Sequence, residues 1–575
     1  MKNNDTTDRC ADSPEIISAH NGDYFAAIKT LVTRRQACPP GSPEAMGVQH
    51  QIDALYGQVR EQIVNNDGLP GQAISFGTSG WRGIIGVDIF SRSVEVVTRA
   101  IVEMYEHADQ NPELGSALGV SSLAEAQQRG CVLGFDNRFG NELLAEQIKA
   151  VLTGKGFTVH YAGESTTGSL SAAVIELQAA FSINLTPSHN PLQYGGFKFN
   201  AADAGPAAQV ITDWITRRAR ALIAAPRPQP LFGQPELSRP CDALEAWKSL
   251  VRKGRAWHGL DYDETMARFA GRDDVAVVVD CVHGASRVHV EDLFNRMATP
   301  RLQFLRREAD PTFGGIAPEP STANLALIRK ALAQRPEPLQ LGVIMDPDAD
   351  RIRFTDQHGE ISMNQFGAMA YHFLHEVKGK TGMVAKTVAT SNFANAIAKA
   401  LHEEVFEPRV GFKEFKPVIA KALVCFEESD GITVIGHTPE KDAYIGLLLA
   451  LDMVLTLNKP LGKYLQELQV QYGYYAPDKD GVTVSQHGDA LADTLRGLDR
   501  YAVGTEVEVG EASRTVAKVI TIDGHKLILD DDSWIMIRPS GTEPKVRFYV
   551  EARSDEGKEA LFVTARTMLR ELGLL

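Results

Sequence analysis

The sequence predicts an α/β protein divided into several domains, and three observations lead there. At 575 residues the chain is too long for a single hydrophobic core. Strand-like apolar runs at 132–135, 275–279 and 383–385 alternate with helix-like stretches, as βα units do. Contents of 44% apolar and 23% charged residues are those of ordinary globular protein. Residues 145–152 read as a helix. So do residues 446–455, whose nearly all-round apolar character predicts burial. Helical patterns at 24–28 and 52–56 predict an N-terminal extension packed on the first domain. The Pro-rich stretch 225–230 predicts a domain boundary.

The net charge of −14 argues against a general binder of nucleic acid or anionic membrane. Local phosphate binding needs only a few cations, and Arg82, Lys198, Arg351, Lys413, Lys441 and Arg538 are the candidates. Six scattered cysteines without C-x-x-C spacing point to neither a zinc site nor a disulfide framework, and Cys131 and Cys281 sit in apolar runs as core residues would. The first eight residues lack the apolar core of a secretory signal, and no run of 18 apolar residues exists. A reducing cytoplasm is the expectation.

Four segments carry the chemistry. Leu185-Thr186-Pro187-Ser188-His189-Asn190-Pro191 follows the apolar run 180–185, which reads as a short buried strand. Pro187 fixes its own φ, and Pro191 pushes Asn190 away from helical geometry. The serine is thus expected on a stiff loop at a strand's C-terminal end, where ligands bind in open α/β sheets. Asp346-Pro347-Asp348-Ala349-Asp350-Arg351 follows a second such run, 341–345. Three carboxylates at alternate positions repel one another unless a cation joins them, and hard oxygen ligands suit Mg²⁺ or Ca²⁺. An EF-hand loop is excluded, since position six is Arg351 and position twelve is Gln357. Ile537-Arg538-Pro539-Ser540-Gly541-Thr542 offers a guanidinium fork, two hydroxyls and a glycine turn to a phosphate. Phe426-Glu427-Glu428-Ser429-Asp430-Gly431 sets carboxylates and a hydroxyl in a loop that suits the hydroxyls of a sugar.

Together, and in this order, the four segments resemble the α-D-phosphohexomutase superfamily. Phe76-Gly77-Thr78-Ser79-Gly80-Trp81-Arg82-Gly83 looks like its N-terminal active-site motif. Gly195-Gly196-Phe197-Lys198, Gly411-Phe412-Lys413 and the segment 436–442 with Lys441 match further parts. Within the superfamily the sugar loop and the length look most like the phosphoglucomutases. Two positions depart from that pattern: Phe426 stands where a glycine usually precedes the first glutamate, and Val410 where threonine is frequent.

The resemblance implies three related α/β domains with mixed sheets plus a smaller C-terminal α+β domain, with the active site in the central cleft. The expected divisions are 1–235, 236–357, 358–471 and 472–575. It implies an intramolecular phosphotransferase that interconverts glucose 1-phosphate and glucose 6-phosphate through a phosphoserine, with glucose 1,6-bisphosphate as intermediate and activator. Phosphomannomutase and phosphopentomutase activities remain open. Ser188 would carry the phosphoryl group, and Mg²⁺ would sit on Asp346, Asp348, Asp350 and the Ser188 phosphate. Arg82 and Lys198 would hold charge and proton balance, with His189 orienting the loop or acting as acid or base. Thr78, Arg351, Lys413, Glu427, Ser429, Lys441, Arg538, Ser540, Gly541 and Thr542 would bind the sugar phosphate. A phosphatase or kinase on the same aspartates is disfavoured: Leu374 replaces the first Walker A glycine before Gly379-Lys380-Thr381, and Asp350 ends what would be D-x-D-x-T.

Overall fold

The structure, a computed structural model, describes residue 18 and residues 20–77, 80–486, 488–540 and 545–575. Of the expected site residues, Thr78, Gly541 and Thr542 lie outside the described residues. Four sheets carry the chain. The first has the order β1-β5-β4-β2-β3-β6, with β1 Trp81–Ile84, β2 Cys131–Phe135, β3 Val159–Glu164, β4 Phe181–Leu185, β5 Tyr194–Asn200 and β6 Ser238–Pro240. The second runs β11-β10-β9-β7-β8, from β7 Val275–Asp280, β8 Leu302–Leu305, β9 Leu339–Met345, β10 Ile352–Asp356 and β11 Gly359–Ile361. The third runs β13-β12-β14-β15, from β12 Val384–Lys386, β13 Val405–Phe406, β14 Val424–Glu427 and β15 Gly431–Val434.

These three sheets share one plan. Parallel strands form the centre, and one antiparallel partner follows at the functional edge: β4 with β5, β9 with β10, and β14 with β15. The parallel strands β2, β7 and β9 are buried along their whole length, which explains their unbroken apolar runs. The fourth sheet is antiparallel throughout, ordered β16-β21-β20-β19-β18-β17. Its strands are β16 Ala476–Thr483, β17 Glu506–Val509, β18 Ala512–Ile520, β19 His525–Leu529, β20 Trp534–Pro539 and β21 Lys545–Ala552, and the helix Asp555–Glu571 packs on it.

Two expected boundaries meet the sheets differently. Strand β6 pairs with β3, so the first sheet extends past residue 235. The turn 356–359, which reads from sequence as a boundary, is a tight hairpin between β10 and β11 inside the second sheet. Asp356 organises it, accepting hydrogen bonds from the His358 and Gly462 N–H groups.

One continuous core joins the second and third units. The helix Ala443–Leu457 runs through it, buried from Ala443 to Leu455, and Asp442 caps its N-terminus. That burial accounts for its apolar circumference. No single described helix is long and apolar enough to cross a membrane. The N-terminal extension forms two helices, α1 Tyr24–Ala37 and α2 Pro43–Asn65, whose apolar faces join the core of the first sheet.

Close approach of backbones constrains two glycines beside the functional loops. A Cβ on Gly196 would meet the Thr186 carbonyl oxygen at 2.2 Å, and one on Gly284 would meet the Pro347 Cα at 2.4 Å. Gly284→Ala must therefore displace the aspartate loop. A loss of about 1–3 kcal/mol of stability is expected in denaturant unfolding, the ordinary cost of overpacking.

Candidate active site

Each of the first three sheets presents one hairpin turn to a common centre: 186–193 between β4 and β5, 346–351 between β9 and β10, and 428–430 between β14 and β15. The serine loop is held from several sides. Ser188 is 1% exposed and has φ +56°, a left-handed conformation that costs a non-glycine residue about 1–2 kcal/mol. Its N–H donates to Thr186 Oγ1 (2.8 Å), which itself donates to Asp136 (2.7 Å). The Ser188 hydroxyl donates to Asp346 Oδ2 at 2.7 Å and lies 3.3 Å from His189 Nδ1. Nucleophile candidate and aspartate loop, 158 residues apart in sequence, are thus in direct contact.

The three aspartates are buried, and ligand atoms from each lie within 4.8 Å of one another. Asp346 Oδ1 accepts the N–H groups of Asp350 (3.1 Å) and Arg351 (3.0 Å), which folds the loop around it. Burial, with the charges of Asp348 and Asp350, pushes the Asp346 carboxyl well above its ordinary pKa. Burial also opposes ionisation of Asp350, but Lys198, Lys441 and Arg351 outweigh it and hold that carboxyl well below the usual range. Asp348 Oδ1 and Asp350 Oδ1 are buried without a hydrogen-bond partner. Unpaired buried carboxylate oxygens are costly, and an all-oxygen donor set with two of them free fits a hard divalent cation such as Mg²⁺.

Cations ring the cluster. Lys198 Nζ reaches Asp348 Oδ2 (2.6 Å) and Asp350 Oδ2 (2.9 Å), and Lys441 reaches Asp350 (3.3 Å) and Glu427 (3.6 Å). Burial disfavours the Lys198 charge, yet the two aspartates outweigh it and raise its pKa. Arg82 donates to Asn190 Oδ1 at 2.7 Å. The charge of Arg351, then burial and Arg82, hold His189 well below the ordinary histidine pKa, so it is neutral. Arg351 lines the cleft, its Nε without a hydrogen-bond partner and 3.8 Å from Asp350 Oδ1.

That cleft, about 160 Å³, brings together Lys198, Asp350, Arg351, Lys413, Glu427, Ser429 and Lys441. Ser429 donates to Glu427 (2.8 Å), so both groups of the sugar loop face one side. Lys413 reaches Gln209 across the cleft at 3.4 Å. Arg538 and Ser540 are not among the described residues lining this volume. Arg538 stands on the last hairpin, bonded to Asp523 (3.3 Å), with Nε unpartnered. Asp523 also accepts the Val410 N–H at 3.0 Å, tying that wall to the third unit. His283 and His437 are structural: His283 Nδ1 meets the Glu308 carbonyl at 2.9 Å, and His437 is bonded to the capping Asp442.

Sequence reasoning missed three supports. Thr167 donates its N–H to the Asp348 carbonyl (2.8 Å) and its hydroxyl to Asp348 Oδ2 (2.9 Å). Asp136 and Arg138 brace the serine loop. The only signal for Thr167 is a Ser-Thr-Thr run ahead of an apolar helix, which reads as an ordinary cap.

Comparison with known proteins adds the lineage. Profiles of phosphoglucomutase/phosphomannomutase alpha/beta/alpha domains I, II and III match residues 73–224, 262–359 and 362–472, and that of the C-terminal domain matches 502–567. The chain belongs to the phosphoglucomutase/phosphomannomutase family. It is 24% identical over 540 residues to a phosphoglucomutase of Staphylococcus saprophyticus, covering 84% of this chain and 91% of that one. It is 26% identical over 510 residues to a protein of Methanothermobacter thermautotrophicus provisionally named phosphoglucosamine mutase, covering 86% and 96%. A crystal structure from Thermus thermophilus, provisionally described as a phosphomannomutase, superposes with TM-score 0.70 at 25% identity, covering 87% of this chain and 99% of that one. The protein is therefore a phosphohexomutase-type isomerase with three α/β/α domains and a distinct C-terminal domain.

Within this family framework the two departures have different weight. Strand alternation sends Phe426 into the core, where Gly367 leaves room for its ring: a Cβ there would come within 2.1 Å of it. Glu427, next in sequence, faces the cleft. Phe426 thus points away from the cleft, whereas Val410 lines it directly.

Proposed function

We propose that this phosphohexomutase interconverts glucose 1-phosphate and glucose 6-phosphate, with Ser188 phosphorylated between turnovers and glucose 1,6-bisphosphate as intermediate and activator. The observation that carries the reading is the Ser188 hydroxyl, buried on a strained loop and 2.7 Å from Asp346. In the first half-reaction a sugar hydroxyl oxygen bonds to phosphorus as the Ser188 Oγ–P bond breaks. The hydroxyl gives up its proton and Oγ gains one, so protons balance over the step. Neutral His189, 3.3 Å from Oγ, is the group placed to exchange a proton there. Lys198, 2.6 Å from Asp348 and 2.9 Å from Asp350, acts as a charge stabiliser.

Asp346, Asp348 and Asp350, with a phosphate oxygen on Ser188, would hold Mg²⁺, which when bound supplies neutralisation of the transferring charge. Arg82 and Arg351 contribute fixed positive charge beside it. The bisphosphate then turns over, and its other phosphate returns to Ser188. Glu427 and Ser429 meet the sugar hydroxyls in either orientation. Lys413 and Lys441 line the cleft, and Arg538, Ser540 and the loop with Gly541 and Thr542 grip the distal phosphate. Thr78 belongs to the same proposed binding set. We take the enzyme to act in the cytoplasm on small sugar phosphates.

Coupled assays across glucose, mannose, glucosamine and pentose 1-phosphates test the substrate. Glucose 1-phosphate is expected to give the highest kcat/KM, and a mannose or pentose preference would reassign the substrate. Release of inorganic phosphate at the rate of turnover would replace the mutase reading with a phosphatase.

Arg538→Lys separates grip from chemistry. It keeps the charge but loses the fork, so KM should rise about 10- to 100-fold, the worth of a charge-assisted hydrogen bond. Activity should also come to depend on added bisphosphate, because the intermediate escapes. Unchanged KM and bisphosphate dependence would remove this residue from the grip.

A further inference from the structure

Behind the serine loop lies a bracket that the chemistry above does not use. Arg138, 4% exposed, donates to three carbonyls of that loop: Ser188 (2.6 Å), Asn190 (2.6 Å) and Pro191 (2.7 Å). Only a planar guanidinium offers donors enough, in fixed directions, to close such a turn. Its far face rests on the ring of Phe313, 4.4 Å from the centroid, contributed by the second domain. Phe313 is itself held with φ +52° on the loop 310–316.

The N-terminal extension grips both sides of this junction. From α1, Arg35 bonds Asp310 and Thr312 at 3.2 Å each, and Gln36 donates to the Gly314 carbonyl. From α2, the Tyr56 ring stacks at 4.3 Å on Phe139, the residue after Arg138. The hairpin therefore spans the first and second domains at the point where Phe313 meets Arg138.

We propose that Arg138 is a positioning residue for Ser188, and that the α1–α2 hairpin is a strap holding Phe313 against it. The left-handed Ser188 is then kept aimed at Asp346 by a contact chain that begins outside the four family domains. The inference rests on Ser188 being the phosphorylated group.

Single-turnover transfer from phosphorylated full-length enzyme tests it, with glucose 1-phosphate as acceptor. Arg138→Lys keeps the buried charge but cannot span three carbonyls. Transfer should slow about 100-fold at saturating sugar phosphate, the cost of a nucleophile misplaced by about 1 Å, with KM changed less than about threefold. Arg35→Gln, on the surface side of the strap, should slow transfer by about threefold to tenfold and raise the share of phosphate lost to water. Phe313→Leu should resemble Arg35→Gln. Thermal unfolding checks that each variant is folded. Wild-type transfer rates in Arg138→Lys overturn the positioning role, and wild-type rates and partition in both Arg35→Gln and Phe313→Leu overturn the strap. A wild-type enzyme with no transferable phosphate on residue 188 overturns the mutase reading instead, and this inference falls with it.

Discussion

Ser188→Ala is expected to abolish mutase turnover, with a loss on the order of 10⁴-fold or more, as when a covalent nucleophile is removed. Alanine tolerates the left-handed backbone no worse than serine, and Thr186 and Arg138 still hold the loop, so the fold should survive. Intact-mass measurement after incubation with glucose 1,6-bisphosphate should find one phosphoryl group on the wild type and none on the variant. Peptide mapping that places the phosphate on another residue would overturn the mechanism, as would activity within about tenfold of the wild type.

Asp348→Asn should lower kcat on the order of 10²-fold or more, if the cation supplies several kcal/mol to the transition state. The substitution removes one ligand charge and one of the two carboxylates facing Lys198. Mg²⁺ titration followed by calorimetry should show weakened binding, a readout independent of turnover. Excess EDTA should silence the wild type, and full activity in its presence would remove the metal from this site.

Much of the site was legible because its chemistry is written in consecutive residues. The runs before Ser188 and Asp346 are strands β4 and β9, buried on both faces, so apolar content alone marked them. The segments that follow must be turns, and their proline and aspartate content said so. The supports were illegible for the opposite reason. Arg138 meets the serine loop across 50 residues or more, and Thr167 meets Asp348 across 181. No local pattern distinguishes an arginine that closes a distant turn from one on a surface. The boundary expected near 356–359 falls on the β10–β11 hairpin, just ahead of the place where the matched second and third family domains meet, at 359 and 362; linkers and hairpin turns draw on the same polar residues. Only strand pairing, a long-range property, separates them. Phe426 departs from the family pattern at the first glutamate, yet strand alternation turns it inward against Gly367.

The placement of one turn of the candidate site on each of three sheets has a consequence for how such a protein diversifies. The turns complete one another's scaffolds: Asp430, on the β14–β15 turn, accepts the N–H of Ile352 (2.8 Å) at the start of β10, and its carboxylate pairs with Arg353 (2.7 Å). A substitution at Asp430 therefore bears on the aspartate turn through β10 as well as on its own turn. Change at one turn is thereby constrained by its neighbour, and the turns of such a site are expected to vary together rather than one at a time.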